Sequence, residues 1–103
     1  MSCGRWSPKP AAAVIDRVRC CVPFCRRTKK ASPDLVLTEA GVIDFEAEWI
    51  CPNHWPAVPA QSRRLHGLAK RRAKKRGTIR AIRLGSRLWE RCKRQAIEAA
   101  GGI

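Results

Sequence analysis

Two short cysteine and histidine motifs constrain the fold of this 103-residue chain more than any other feature. Cys21 and Cys25 are separated by three residues that include Pro23, and Cys51 and His54 are separated by two. A short pair places two donor atoms on one side of a metal ion, and a second pair completes a tetrahedron. Three thiolates and one imidazole suit zinc and leave no open coordination position. The sequence therefore predicts a structural zinc site.

The identity of one ligand is ambiguous, because Cys20 is adjacent to Cys21. Cys20 and Cys25 are separated by four residues, a spacing that is equally feasible for one metal ion. We take Cys21 as the predicted ligand because it closes the tighter loop, and we keep Cys20 as the alternative. Three disulfides are the other interpretation of six cysteines. We disfavour it because Cys3 and Cys92 lie outside the cluster and a histidine stands at ligand spacing from Cys51.

The sequence contains no targeting signal that we can identify. Its first nineteen residues have scattered charges, two prolines and no apolar run of signal-peptide length. No segment approaches the roughly 20 apolar residues of a membrane span. We therefore expect a cytoplasmic protein with no membrane partner, in a compartment where clustered cysteines bind metal more often than they form disulfides.

Charge is distributed unevenly along the chain. Residues 1–60 carry eight Lys/Arg and six Asp/Glu, a net charge of +2, whereas residues 61–103 carry fourteen and two, a net charge of +12. Such a basic segment suggests a polyanionic partner, of which nucleic acid is the commonest. A solvated basic tail without a partner is the alternative.

The two motifs resemble a known class of zinc finger. CVPFC and WICPNHW together look like a Cys-Cys-Cys-His finger, and ICPNH followed by an aromatic residue is similar to the end of the THAP module. The resemblance implies the ligands Cys21 (or Cys20), Cys25, Cys51 and His54. The spacer of residues 26–50 is shorter than that family uses, and its hydrophobic signature after His54 is missing. The chain also resembles small basic zinc-finger proteins of bacterial phages, which would place it in host cytoplasm.

In the N-terminal half, the pattern predicts a β-hairpin. Apolar and acidic residues alternate from Ile43 to Trp49, which indicates a strand, and the preceding TEAG indicates the hairpin turn. A short helix over residues 44–49 is the alternative because Glu and Ala favour helix. We expect the acidic side of this strand to face solvent, with docking on the basic segment as the alternative. Residues 26–34 are predicted as a loop, and a long helix after the second motif is excluded by Pro52, Pro56 and Pro59.

From Gln61 onward the spacing becomes helical. A first helix is predicted over residues 61–76, with its apolar side formed by Leu65, Leu68, Ala69 and Ala73. Gly77 and Thr78 indicate a break, and a second helix follows to the glycines at residues 101–102. Its apolar stripe of Ile82, Trp89, Cys92 and Ala96 is predicted as core, or alternatively as a site for a partner helix.

Three single residues have expected roles. We expect Trp55 to be a core or lid residue, with a platform for base stacking as the alternative, and we expect His66 to lie on the surface. Gly85 falls inside the apolar stripe of the second helix, where it weakens the helix by about 1 kcal/mol or lets another element approach closely.

These observations predict an α+β protein: a small zinc-stabilised β-hairpin module followed by one or two basic C-terminal helices. We divide it into an N-terminal arm (1–18), a zinc-binding module (19–60) and a basic helical region (61–103). The predicted function is non-catalytic, regulatory binding of nucleic acid, DNA ahead of RNA. The alternative is a phage-type interaction protein that modulates a host protein machine. We expect no enzyme, because no convergent acid–base groups are evident.

The predicted contacts to nucleic acid are basic residues of the two helices, within reach of successive phosphates. They are Arg63, Arg64, Lys70, Arg71, Arg72, Lys74, Lys75, Arg76, Arg80, Arg83 and Arg87.

Overall fold

The computed structural model describes residues 16–101. Two small antiparallel hairpins are followed by a single turn of 3₁₀ helix and two long helices, which confirms the predicted α+β class. The elements are β1 (Arg17–Arg19), β2 (Thr28–Lys30), β3 (Leu35–Thr38), β4 (Gly41–Asp44), the 3₁₀ turn (Trp55–Ala57), α1 (Ala60–Arg76) and α2 (Ile79–Ala99). Residues 1–15 of the predicted N-terminal arm lie outside the described residues.

The first hairpin corrects part of the prediction of a loop over residues 26–34, because residues 28–30 form a strand. β2 pairs with β1 in antiparallel register, with Val18 opposite Lys29. The segment has no alternating pattern of its own, so its extended conformation comes from this pairing and not from local preference. The pairing brings the two ends of residues 20–27 together, as the hydrogen bond of 3.0 Å from the backbone N–H of Cys20 to the carbonyl of Arg27 shows.

The second hairpin is the predicted one, but its second strand is shorter than expected. β3 pairs with β4 in antiparallel register, with Val36 opposite Ile43. The strand predicted as far as Trp49 ends at Asp44, whose Oδ1 accepts a hydrogen bond of 2.9 Å from the backbone N–H of Glu46. Such a side-chain bond to the backbone two residues on turns the chain. The alternative helix over residues 44–49 is also absent.

Local signals place the ends of both helices where the sequence predicts them. α1 is followed by Gly77 with a φ of 64°, a left-handed conformation that glycine adopts without strain. α2 begins after Thr78, whose side-chain oxygen accepts a hydrogen bond of 3.2 Å from the backbone N–H of Ala81. The helices pack closely at Gly85, where a Cβ would lie 3.8 Å from the carbonyl oxygen of Ala69.

The side of α1 that faces the rest of the protein consists of small residues. Ala69 and Ala73 are buried, whereas Leu65 and Leu68 of the predicted apolar side are 36% and 50% exposed. Close approach of α2 favours alanine over leucine at the contact, so the buried side is rotated from the predicted one.

One core joins the two predicted regions. It contains Cys20, Val22, Ile50, Cys51 and Val58 from the first region, together with Cys92 and Ala96 of α2. Cys92 and Ala96 are fully buried, which confirms this part of the apolar stripe of α2 as core, and Trp89 is partly buried against it. The core therefore spans the predicted boundary at residue 60.

Candidate metal centre and the surrounding surface

Four donor atoms converge at the edge of this core. The sulfur atoms of Cys20, Cys25 and Cys51 and a ring nitrogen of His54 lie within 4.8 Å of one another. Cys25 Sγ lies 3.8 Å from Cys51 Sγ, and His54 Nδ1 lies 3.8 Å from Cys20 Sγ and 3.2 Å from Cys51 Sγ. Bonds of about 2.3 Å to sulfur and about 2.0 Å to nitrogen put neighbouring donors of a tetrahedron about 3.5–3.8 Å apart. The three separations are close to these values, so the cluster could hold a metal ion.

The structure places Cys20, and not Cys21, in the cluster. Cys20 forms a parallel β-bridge with Trp49, and the backbone N–H of Cys21 donates to the carbonyl of Trp49 over 2.9 Å. Successive side chains of an extended chain point to opposite sides, so only one of two adjacent cysteines reaches the site. The choice of Cys21 from loop tightness is thus corrected, because the pairing of the chain decides the ligand.

A tight turn returns the chain from Cys20 to Cys25. The backbone N–H of Cys25 donates to the carbonyl of Val22 over 3.1 Å, with Pro23 and Phe24 at the centre of the turn. Phe24 has a φ of 69°, a left-handed conformation that costs a residue with a Cβ about 1 kcal/mol. Its side chain is 80% exposed and so gains little packing in return.

A second turn presents Cys51 and His54. The backbone N–H groups of His54 and Trp55 donate to the carbonyl of Cys51 over 3.0 and 2.9 Å. Pro52 fits this position because it needs no backbone donor at the start of a turn. The two-residue spacing therefore brings thiol and imidazole to the same side of the chain.

Backbone N–H groups surround two of the sulfur atoms. Burial raises the pKa of Cys20, against backbone hydrogen bonds from Cys51 and Val22. Burial acts in the same direction on Cys51, but hydrogen bonds from the backbone of Asn53 and His54 outweigh it and lower the pKa of this thiol to about 7. A cysteine binds a metal ion as the thiolate, and these backbone N–H donors stabilise the negative charge of that form.

The donor set fits a metal ion in a structural role. Three thiols and an imidazole make the cluster compatible with a zinc-finger-like site, as the spacing of the motifs predicts. Cys20 and Cys51 are buried, and all four donors come from the protein. An ion held here would join the end of β1, the turn after it and the segment before the 3₁₀ turn.

The basic residues predicted to contact nucleic acid fall into two groups. Three of them hold the fold together: Lys70 pairs with Glu46, Lys74 pairs with Asp34, and Arg63 Nε donates to the carbonyl of Val58 over 2.9 Å. The charge pattern did not indicate these internal contacts, and a role of the three side chains in binding nucleic acid stays a prediction. The other eight are exposed: Arg64, Arg71, Arg72, Lys75, Arg76, Arg80, Arg83 and Arg87.

Acidic side chains dock on the basic segment and do not simply face solvent as expected. Glu46 lies between Lys70 and Lys29, and Glu48 pairs with Lys93 over 3.1 Å. Burial acts to lower the pKa of Lys93, but the hydrogen bonds that its ammonium donates to Glu90 and Glu48 outweigh this and raise the pKa. Every ion pair among residues 16–101 uses a lysine, and none uses an arginine.

An aromatic cluster lies beside the metal site. His66 is half-buried, and its ring centroid lies 5.1 Å from that of Trp89 and 6.3 Å from that of Trp55. The expectation of a surface His66 is therefore wrong. The spacing of His66, Ala69 and Ala73, three and then four residues apart, could have placed His66 on the buried side of α1.

Comparisons with protein-family models, curated proteins and solved structures find no match to this chain. Among residues 16–101, neither helix is apolar enough over a sufficient length to cross a membrane.

Proposed function

We propose that this protein binds nucleic acid without catalysis and that a zinc ion holds its N-terminal half. The observation that carries the proposal is a difference between the environments of the lysines and of the arginines. Lysines form the internal ion pairs among the described residues, while arginines stand exposed on both helices. A guanidinium is always charged and donates two parallel hydrogen bonds to a phosphate, which suits it to this contact.

The arginines of α2 form a stripe of suitable length. Exposed arginines recur every three or four residues along the helix, at Arg80, Arg83, Arg87, Arg91 and Arg94. At 1.5 Å per residue the stripe is about 21 Å long. One strand of B-DNA has a phosphate about every 3.4 Å along its axis, so the stripe spans about six of them. Contacts of this kind position a protein without reading sequence.

Zinc is the metal that the donor set favours. Thiolate and imidazole ligands in a tetrahedral arrangement suit zinc better than the hard cations, which prefer oxygen. The core is small and consists mainly of short side chains. In such a chain the binding of a structural metal contributes directly to folding. The likeness to the THAP module extends to the order of ligands only, so no finer role is taken from it.

The test is the salt dependence of binding by the zinc-loaded protein. We would measure the anisotropy of a labelled duplex and of a single strand of equal length over a series of salt concentrations. Replacing Arg80, Arg83 and Arg87 by Gln should reduce the slope of log affinity against log salt by about 2–3 on duplex DNA. The matched control replaces Arg17, Arg26 and Lys30 by Gln, which removes equal charge from the first hairpin and its turn. Equal slopes for the two variants, or no binding at all, would contradict the proposal.

A second candidate function, the binding of a protein partner, is favoured by one observation. The β3–β4 hairpin exposes Leu35, Leu37 and Val42, which are 64%, 79% and 62% accessible to solvent. The stripe around Trp89, from which the sequence suggested such a role, is partly buried in the protein's own core. A complex with a purified protein that resists salt, in a protein without affinity for nucleic acid, would favour this candidate.

A further inference from the structure

A cleft lies between the segment that follows β4 and the two helices. Its volume is about 550 Å³, within the usual range for a site that binds a small planar group. Its lining includes five aromatic rings, those of Phe45, Trp49, Trp55, His66 and Trp89, together with Ser86 at an exposed position of α2. We propose that this cleft takes up one unpaired nucleobase of a bound strand. The inference rests on the proposed function and names the part of the nucleic acid that this site recognises.

The rings on one side of the cleft are held in place before any ligand binds. Trp89 packs against both His66 and Trp55, with its ring centroid 5.1 Å from that of His66 and 6.3 Å from that of Trp55. Its Nε1–H donates a hydrogen bond of 2.7 Å to Glu48, which fixes the orientation of the indole. Base stacking on fixed aromatic side chains is the usual means by which proteins bind unpaired bases.

The charges around the cleft favour a neutral ring over a cationic ligand. The carboxylates of its lining already have partners: Glu46 pairs with Lys70 and Lys29, and Glu48 pairs with Lys93. Asp44 Oδ1 accepts hydrogen bonds from the backbone N–H groups of Asp34 and Glu46. Burial, followed by the nearby Lys70, lowers the pKa of His66, which keeps this ring neutral near pH 7. A cation would therefore meet carboxylates that are already paired or hydrogen-bonded, whereas an uncharged base needs no counter-charge to enter.

The opening of the cleft is suited to a base that remains attached to a phosphate backbone. Lys70 lies in the lining, and the exposed Arg83 precedes Ser86 by one turn of α2. Residues three apart on a helix are neighbours on its surface, so cations flank the opening from both helices. Phosphates on either side of an inserted base would meet these cations.

The experiment compares two single strands with the same number of phosphates. One is oligothymidylate, and the other has an abasic site in place of every base. The zinc-loaded protein should bind the strand with bases about tenfold more tightly, because stacking depends on the base and not on the backbone. Binding of oligothymidylate, but not of the abasic strand, should quench the tryptophan fluorescence.

Substitutions at the opening of the cleft test whether the cleft causes the preference for the strand with bases. Ser86→Phe fills the opening from an exposed position and should bring the ratio of affinities close to one, with the affinity for the abasic strand unchanged. Ser86→Met provides a second filling side chain if the first disturbs folding. The matched control is Ala99→Phe, which adds the same ring to an exposed position of α2 outside the cleft and should keep the preference.

The outcomes separate this inference from the proposal on which it rests. Equal affinity for the two strands would overturn the base pocket and leave nucleic-acid binding standing. A preference that survives both Ser86 substitutions would also overturn it, since the base would then bind elsewhere. Failure to bind either strand, together with failure to bind duplex, would overturn the proposed function and the pocket with it.

Discussion

The backbone N–H of Cys51 donates a hydrogen bond of 3.3 Å to the sulfur of Cys20, 31 residues earlier in the chain. This contact joins the two ligand motifs through the backbone. The bridge between Cys20 and Trp49 sets the direction of the chain at this point, so that the side chain of Cys20, and not that of Cys21, faces the cluster. The neighbouring Cys21 is left on the other side, beside Glu48 and Lys93.

The two adjacent cysteines should respond differently to the same substitution. Cys20→Ser removes one of the four metal donors and should abolish stoichiometric zinc binding and lower the melting temperature, since folding and metal binding are coupled. Cys21→Ser should keep one zinc per chain and a nearly unchanged melting temperature. Elemental analysis and thermal unfolding of both variants check this. The reverse pattern would restore the ligand set with Cys21.

Local signals account for the parts of the fold that the sequence predicts well. The helical spacing, Gly77 and Thr78 place α1 and α2 almost to the residue, because helix caps depend on nearby residues alone. The spacing of the motifs likewise places three of the four metal donors, Cys25, Cys51 and His54.

The parts that were predicted wrongly depend on contacts between distant residues. β2 exists because of its pairing with β1, and the choice of Cys20 depends on Trp49, so neither follows from local pattern. The internal role of Lys70 depends on Glu46, which lies 24 residues earlier in the chain. A run of basic residues in a sequence gives the number of charges, but it does not show which side chains form ion pairs within the protein.

The strained turn of the first motif offers a test of stability. Phe24→Gly should raise the free energy of unfolding of the zinc-loaded protein by about 1 kcal/mol, because glycine adopts a positive φ without the Cβ penalty. Phe24→Ala is the control, since it removes the same exposed ring but keeps the Cβ, and it should give no such gain. Urea unfolding measures both. Equal effects would show that the exposed ring, and not the backbone conformation, sets the stability.

The half-buried His66 should make the stability of the protein depend on pH. Burial and then Lys70 lower the pKa of His66 below its ordinary value of 6.5, so the unfolded chain binds a proton at a higher pH than the folded chain does. Its contribution to stability is therefore complete above pH 6.5 and is lost as the pH falls towards the folded value. His66→Phe should show a smaller loss over this range in urea unfolding, whereas protonation of the metal ligands affects both proteins equally. Parallel pH profiles would contradict the assignment.

Two glycines at the helices should respond in opposite directions to alanine. Gly85 lies within α2, and an added Cβ would meet the Ala69 carbonyl at 3.8 Å, an ordinary contact, so Gly85→Ala should stabilise the protein by up to about 1 kcal/mol. Gly77 has a φ of 64°, so Gly77→Ala should destabilise it by about 1 kcal/mol. Both follow from thermal or urea unfolding of the zinc-loaded variants. A loss of stability for Gly85→Ala would mean that the two helices pack more closely than 3.8 Å at this contact and that glycine is needed there.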